Sequence, residues 1–261
     1  MKEKNTHNDD LGVKVVFEND NFVVINKPAG LAVHSGGNIV GKTLVDWILD
    51  KYHEIKSVGE DESRPGIMHR LDMDVSGLMV IAKTKESYDN LKKQFQNREM
   101  EKEYTALVHG NIAKDSDVID FPIKRSTDGH KMAAIPKNTD NLLTRRSPKN
   151  RDQGNLEGFF KSKDAITEFK VIKRYINFNL LKVKIKTGRT HQIRVHLYAY
   201  GHPLLGDPLY YTKKSKAKNQ KINLNRVFLV ADKLAFADID GSKQSFELDF
   251  PEDLKSYLPK N

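Results

Sequence analysis

The chain is 261 residues long, 38% hydrophobic, free of cysteine and carries a formal net charge of +9. That is enough apolar material for a sizeable core, with one domain the expectation, and the missing cysteine excludes disulfides, thiolate metal sites and cysteine nucleophiles, as fits a reducing compartment. No stretch approaches the roughly 18 apolar residues of a membrane span and the charged start lacks a signal-peptide core, so a cytoplasmic protein is expected. The positive charge points to an anionic partner, nucleic acid first, because each lysine or arginine that neutralises a phosphate releases condensed counterions.

Residues 1–12 are polar and read as a disordered tail. Two short β-branched and aromatic runs, 13–17 and 22–26, are split by Glu18-Asn19-Asp20-Asn21 and read as a hairpin ended by Lys27-Pro28. Gly36-Gly37-Asn38-Ile39-Val40-Gly41-Lys42-Thr43 then matches the phosphate-loop pattern G-x-x-x-x-G-K-[ST], with Thr43 as N-cap and Asp46 at N3 of a helix through Leu44, Ile48 and Leu49. Asp232 supplies a second-carboxylate candidate for such a site. The context fails, however, because Pro28 and Gly30 interrupt the strand that would launch the loop.

After a polar connection over residues 53–64, His69-Arg70-Leu71-Asp72-Met73-Asp74-Val75-Ser76-Gly77 sets two carboxylates and an arginine just ahead of the apolar run Leu78-Met79-Val80-Ile81-Ala82, which reads as a buried strand. A carboxylate at such an edge is placed to be partly desolvated and aimed, as a base or nucleophile needs; a solvated turn between strands is the plain alternative. Thr84 caps a helix whose Tyr88, Leu91 and Phe95 recur at i, i+3 and i+7. Residues 102–109 alternate as a strand, with Tyr104 and Ala106 on one face, where Tyr104 reads by itself as a core tyrosine.

Residues 136–163 form a polar stretch with Arg145, Arg146, Lys149 and Arg151 that looks like an insertion. Leu181, Val183 and Ile185 alternate with Lys182, Lys184 and Lys186, the pattern of a half-buried strand with a basic outer face. A helix follows, with Thr190 as its expected N-cap and Gly201 as its end; His191 and His196 are five apart, which is not the i, i+4 spacing of a zinc helix, and no metal is expected. Residues 212–226 hold six lysines and arginines and no acid, and read as a solvated loop that is also a candidate clamp on a nucleic-acid backbone. Residues 227–250 return to strand-like alternation and are expected to close the sheet.

The block His69-Arg70-Leu71-Asp72 with Ser76-Gly77-Leu78 resembles the central motif of the RluA-type pseudouridine synthases. Three more blocks match in order: Asn26-Lys27-Pro28-Ala29-Gly30-Leu31, Lys102-Glu103-Tyr104-Thr105-Ala106-Leu107-Val108, and Thr187-Gly188-Arg189-Thr190-His191-Gln192-Ile193-Arg194-Val195-His196, trailed by Gly201-His202-Pro203-Leu204 and Gly206-Asp207. The resemblance implies an α+β fold, a mostly antiparallel mixed sheet with helices around a basic cleft. It implies isomerisation of uridines in ribosomal or transfer RNA without cofactor or metal, by a chain expected to be a monomer. Asp72 becomes the essential carboxylate, Tyr104 the residue stacked near the base and a candidate acceptor of its proton, and Arg194 the ion partner of Asp72.

Arg70 is placed to brace the gap left by an everted uridine, and Arg189, His191, Lys213 and Lys214 are the further candidates for RNA contact. Two departures stand out: Val75 occupies a position where the family more often has threonine, and residues 136–163 lengthen a connection that relatives pass more quickly. No space precedes residue 13 for the small RNA-binding domain that many relatives carry, so target choice is expected within residues 13–261 or with a partner. The competing functions are a phosphate-loop nucleotide hydrolase and a catalytically silent RNA-binding protein on the same scaffold.

Overall fold

A computed structural model of the chain describes residues 11–36, 39–126, 129, 131–136 and 162–259. Nearly all of the 1–12 tail and of the 136–163 insertion therefore lies outside the described residues, as do Gly37 and Asn38 of the glycine-rich loop. Among the described residues no helix is long and apolar enough to cross a membrane.

The expected hairpin is present: β1 (Lys14–Glu18) pairs antiparallel with β2 (Phe22–Lys27), bulged between Val15 and Phe17. α1 (Leu44–Lys51) starts on a capping box in which the Thr43 amide donates to Asp46 at 2.7 Å and the Asp46 amide returns to the Thr43 hydroxyl. The connection after it contains a short 3-10 turn, His53–Ser57, that buries Ile55. β3 (Ser76–Ala82) is buried along its whole length, as its unbroken apolar run requires, and α2 (Lys85–Asn97) is capped by Thr84. There follow β4 (Glu101–His109), β5 (Ser116–Ile119), the pair β6 (Ile123–Arg125) and β7 (Met132–Ala134), then β8 (Thr167–Arg174), β9 (Phe178–Ile185), α3 (Gln192–Ala199), α4 (Lys213–Ile222), β10 (Leu229–Ala237), β11 (Lys243–Glu247) and the short α5 (Glu252–Lys255).

One mixed sheet organises these elements in the order β1-β2-β3-β10-β4-β9-β8-β5, with β11 paired to β10. All of its pairings are antiparallel except β3 with β10. The end of the chain thus does not close the sheet at an edge. β10 is wedged into its middle, because Leu229 to Ala231 and Leu234 to Phe236 are buried on both faces, an environment only a central strand offers. The close approach of β10 to β3 needs Gly77: with φ at 129°, a Cβ there would lie 2.2 Å from the Ala231 carbonyl oxygen. The glycine of the central motif is therefore a packing requirement of the strand that carries the motif.

The core lies where α1 and α2 cover β2, β3 and β10, with Phe22 edge-on to Phe236 at 4.9 Å. Two sequence expectations change. Residues 213–222 are helix, not loop, because Thr212 and Ser215 form a reciprocal capping box that nucleates the turn. The outer face of β9 is not a free basic surface either: Lys182 meets Asp232 at 2.8 Å, Lys184 meets Glu103 at 2.9 Å and Lys186 meets Glu168 at 3.7 Å.

Candidate active site

The segment that ends β2 and the segment that enters β3 are tied together by one buried amine. Lys27, with no exposed surface, donates from Nζ to the carbonyls of Pro28 and Leu31 at 2.7 Å each and of Met73 at 3.2 Å, and the Gly30 amide reaches the same Met73 carbonyl at 2.8 Å. Burial, followed by the nearby Arg226 guanidinium, pulls the Lys27 ammonium down to about 7. The chain around Asp72 is held from below by this anchor and from within by the turn bond of the Val75 amide to the Asp72 carbonyl at 3.1 Å. Val75 is 2% exposed and fills a core position with its methyl groups.

Arg194, on the buried face of α3, meets two carboxylates. Nε and Nη2 donate to Asp207, each at 2.9 Å, and Nη1 donates to Asp72 at 3.2 Å. Burial alone would lower the guanidinium's affinity for its proton, but hydrogen bonding and charge from Asp207, then Asp72, more than reverse that, so Arg194 is firmly cationic. Asp207 is itself fixed by the amides of Leu209 and Tyr210 at 2.9 and 3.0 Å. The Tyr210 ring lies 5.4 Å from the guanidinium, and its hydroxyl is 3.0 Å from Nδ1 of His191, whose Nε2 sits 4.0 Å from Asp72. Burial pushes the His191 imidazole toward its neutral form.

Thr190 does not cap α3. The N-cap is His191 in the left-handed conformation, φ 54°, with no side-chain capping bond. The helix start is braced instead by Gln192, whose amide oxygen accepts from the Thr187 hydroxyl at 2.7 Å and the Arg189 amide at 3.1 Å, leaving Thr190 exposed. This turn places Arg189 and His191 on the wall of the recess that holds Asp72.

Tyr104 rises from β4 beside Asp72. Burial first, then the charges of Asp72 and Asp232, hold its phenol protonated far above the physiological range. Among the described residues its hydroxyl has no hydrogen-bond partner, although the side chain is buried. Facing the recess, the hydroxyl is free to meet whatever enters the cleft. Next to it, Lys102 lies 4.4 Å over the Phe95 ring with its amine pulled down to about 8 by burial, and His69 stacks against the same ring at 4.8 Å. Arg70 is exposed at the mouth, 2.8 Å from His34.

Asp72, Tyr104, Arg194, Arg70, Arg189 and His191 therefore all line one recess, with about 90 Å³ of open space at Asp72 and an adjoining hollow of about 290 Å³ reaching Lys102 and His34. Lys213 and Lys214 do not line it; they stand exposed at the first turn of α4. The phosphate-loop reading finds no footing. No strand leads directly into the loop, the Thr43 hydroxyl donates to Asp46, Lys42 pairs with Asp50 at 3.7 Å, and Asp232 is buried against Thr105 and Lys182. Sequence reasoning assigns no role to Lys27 or to Asp207, though both stand inside motif blocks. A lysine followed by proline at the end of an apolar strand is the signal that marks Lys27 as buried.

These elements make an α+β protein in which a carboxylate, a clamped guanidinium and a buried phenol converge on an open recess. A family model for RNA pseudouridylate synthases matches residues 21–199. An uncharacterized RNA pseudouridine synthase of Aquifex aeolicus is 38% identical over 253 residues, spanning 95% of this chain and 72% of that protein. Ribosomal large subunit pseudouridine synthase D of Buchnera aphidicola is 34% identical, over 95% of this chain and 73% of its own. The solved structure of human RNA pseudouridylate synthase domain containing 1 shares the fold, with a TM-score of 0.68 at 24% identity over 92% of this chain and 84% of its own. The chain belongs to the RNA pseudouridylate synthase family. Its activity is that of an RNA pseudouridine synthase, an isomerase.

Proposed function

We propose that this chain converts specific uridines of ribosomal or transfer RNA to pseudouridine, with Asp72 as the essential carboxylate. The observation that carries the reading is the Arg194–Asp72 contact at 3.2 Å in a recess beside Tyr104. The reaction breaks the glycosidic bond, turns the uracil and rejoins it to C1′ through carbon, so it needs a nucleophile or cation stabiliser and a group that takes the proton from that carbon, but no oxidant. Asp72 serves the first need. A carboxylate under a nucleobase would be driven to its neutral acid without a cation beside it, and Arg194 is that cation.

Tyr104 supports the base and meets it with its hydroxyl. It acts as a neutral phenol, since burial and Asp72 oppose its ionisation. A neutral phenol takes the proton from that carbon only as its own proton passes to an acceptor, and the Asp72 carboxylate in the same recess is that acceptor. Arg70, exposed at the mouth, enters the gap that the everted uridine leaves. Arg189 and His191 contact the flanking backbone, and Lys213 and Lys214 on α4 supply remote phosphate contacts.

Residues 13–261 form a single catalytic domain acting as a monomer in the cytoplasm, with residues 136–163 as an appended polar segment. Ribosomal RNA is the favoured target class because the similar Buchnera protein is named for the large ribosomal subunit. The test is Asp72→Asn, which keeps size and polarity but removes charge and nucleophilicity. RNA from cells lacking the gene, treated with wild type or variant and mapped chemically for pseudouridine, should gain product only with wild type. Wild-type product from the variant would remove Asp72 from the chemistry.

A further inference from the structure

Asp72 and Asp74 lie on opposite sides of the same short stretch. Asp72 lines the recess with Tyr104 and Arg194, whereas Asp74 lines a second cavity, of about 530 Å³, on the far side. Met73 stands on the ridge between them with 47% of its surface exposed, its carbonyl fixed by Lys27 and Gly30. The second cavity is within the size range of small-ligand sites.

The Arg226 guanidinium forms a polar floor: Nη1 holds Asp253 at 2.9 Å, Nη2 holds Ser76 at 2.6 Å, and Nε is buried without a partner. Above it Asp74, Asn26 and Asn225 face the space, and none of the three has a side-chain hydrogen bond among the described residues. Pro28 and Tyr257 add flat apolar surfaces. A carboxylate and two amides present the donors and acceptors that read the edge of a nucleobase, and a proline and a tyrosine ring present the faces on which a base stacks.

Taking the RNA isomerase reading as given, we propose that this cavity receives the base of a nucleotide adjacent to the target uridine, with Asp74, Asn26 and Asn225 reading its edge and Met73 separating it from the target. The Cα atoms of Asp72 and Asp74 are two residues apart and so no more than about 7 Å from each other. Consecutive nucleotides of one strand, once the target is everted, would then straddle this ridge. The cavity thereby contributes to target choice from inside the catalytic domain.

The experiment uses RNA oligonucleotides built around a uridine that the protein modifies, with each of the four nucleotides placed in turn immediately 5′ and 3′ of it. Single-turnover rates are measured for wild type, Asp74→Asn and Asn225→Ala; Asn225 is exposed, so its variant folds. Wild type should discriminate among the four nucleotides at one of the two positions by about tenfold, as one well-made edge contact does. Each variant should shrink that spread to about threefold or less, or change the preferred nucleotide. A general loss of folded protein would lower all four rates alike and leave the spread intact. Unchanged spread in both variants, or no spread in wild type at either position, overturns the proposal alone. No product from wild type on any RNA overturns the isomerase reading, and this proposal with it.

Discussion

Arg194 is bound more completely to Asp207 than to Asp72: two donors at 2.9 Å reach Asp207, whose side chain is wholly buried, and one at 3.2 Å reaches Asp72. Asp207 is thus the fixed half of the clamp and Asp72 the half that faces the recess. Removing one member of a buried pair strands its partner, so Arg194→Ala and Asp207→Ala should each cost about 3–5 kcal/mol. Asp72→Ala, which leaves the Arg194–Asp207 pair whole, should cost about 1 kcal/mol or less. Urea midpoints of the three variants check this ordering; equal losses would show that Asp72 is as structural as Asp207.

The Tyr104 hydroxyl makes no hydrogen bond among the described residues, so Tyr104→Phe breaks none of the bonds formed among them. Its stability should stay within about 0.5 kcal/mol of wild type. The rate of pseudouridine formation should nonetheless fall by about 10²-fold or more, the usual weight of a positioned proton-transfer group. A fall in melting temperature with an unchanged rate would make Tyr104 a core residue.

Exposed lysines that are not paired within the protein are the ones that release counterions on binding RNA. Lys213→Ala combined with Lys214→Ala should flatten the dependence of log affinity on log salt by about 0.7–0.9 for each phosphate that is no longer neutralised. Lys184→Ala should change it little, because Lys184 faces Glu103 at 2.9 Å. Binding titrations from low to moderate salt separate the cases. An equal effect of Lys184→Ala would move the footprint to the β9 face of the sheet.

Two histidines, His69 beside Phe95 and the buried His196, make the fold sensitive to acid. Burial pulls His69 down to about 3 and His196 to about 4; His69 Nε2 accepts the Val80 amide, and the His196 ring nitrogens sit 2.9 Å from Thr167 Oγ1 and 2.8 Å from the Phe121 carbonyl. The unfolded chain takes up protons near 6.5 while the folded chain resists them, so stability is full above that value and drains as pH falls toward 4. Each histidine contributes a slope of at most about 1.4 kcal/mol per pH unit. Denaturation midpoints between pH 7 and 4.5 should fall for wild type and fall less steeply for His196→Asn. Parallel slopes would show that His196 titrates alike folded and unfolded.

The features that can be read directly from the sequence are local ones. The capping residues Thr43 and Thr84, the hairpin around Asn19, the buried run of β3 and the half-buried alternation of β9 are dictated by residues a few positions apart, and each is legible. The motif blocks likewise mark Asp72, Tyr104 and Arg194 as belonging together. Local reasoning goes astray where a side chain has a better use than the pattern assumes: Gln192 takes the helix-start role read for Thr190, and Thr212 with Ser215 turns a one-sign run into helix.

The remaining features arise only when distant segments meet. The central place of β10 is not legible locally, because no short-range rule says which strands will flank an apolar run. The outward lysines of β9 and the residue after it meet acids from β4, β8 and β10, which neutralises the basic outer face from within. Arg194 meets Asp72 across 122 positions of sequence and is held there by Asp207, so the geometry of the clamp exists only once α3 and the entry to β3 come together. The cause is the same in each case: propensity and capping act over one turn or one strand, whereas burial of charge and choice of strand neighbour depend on surfaces that only the folded chain brings into contact.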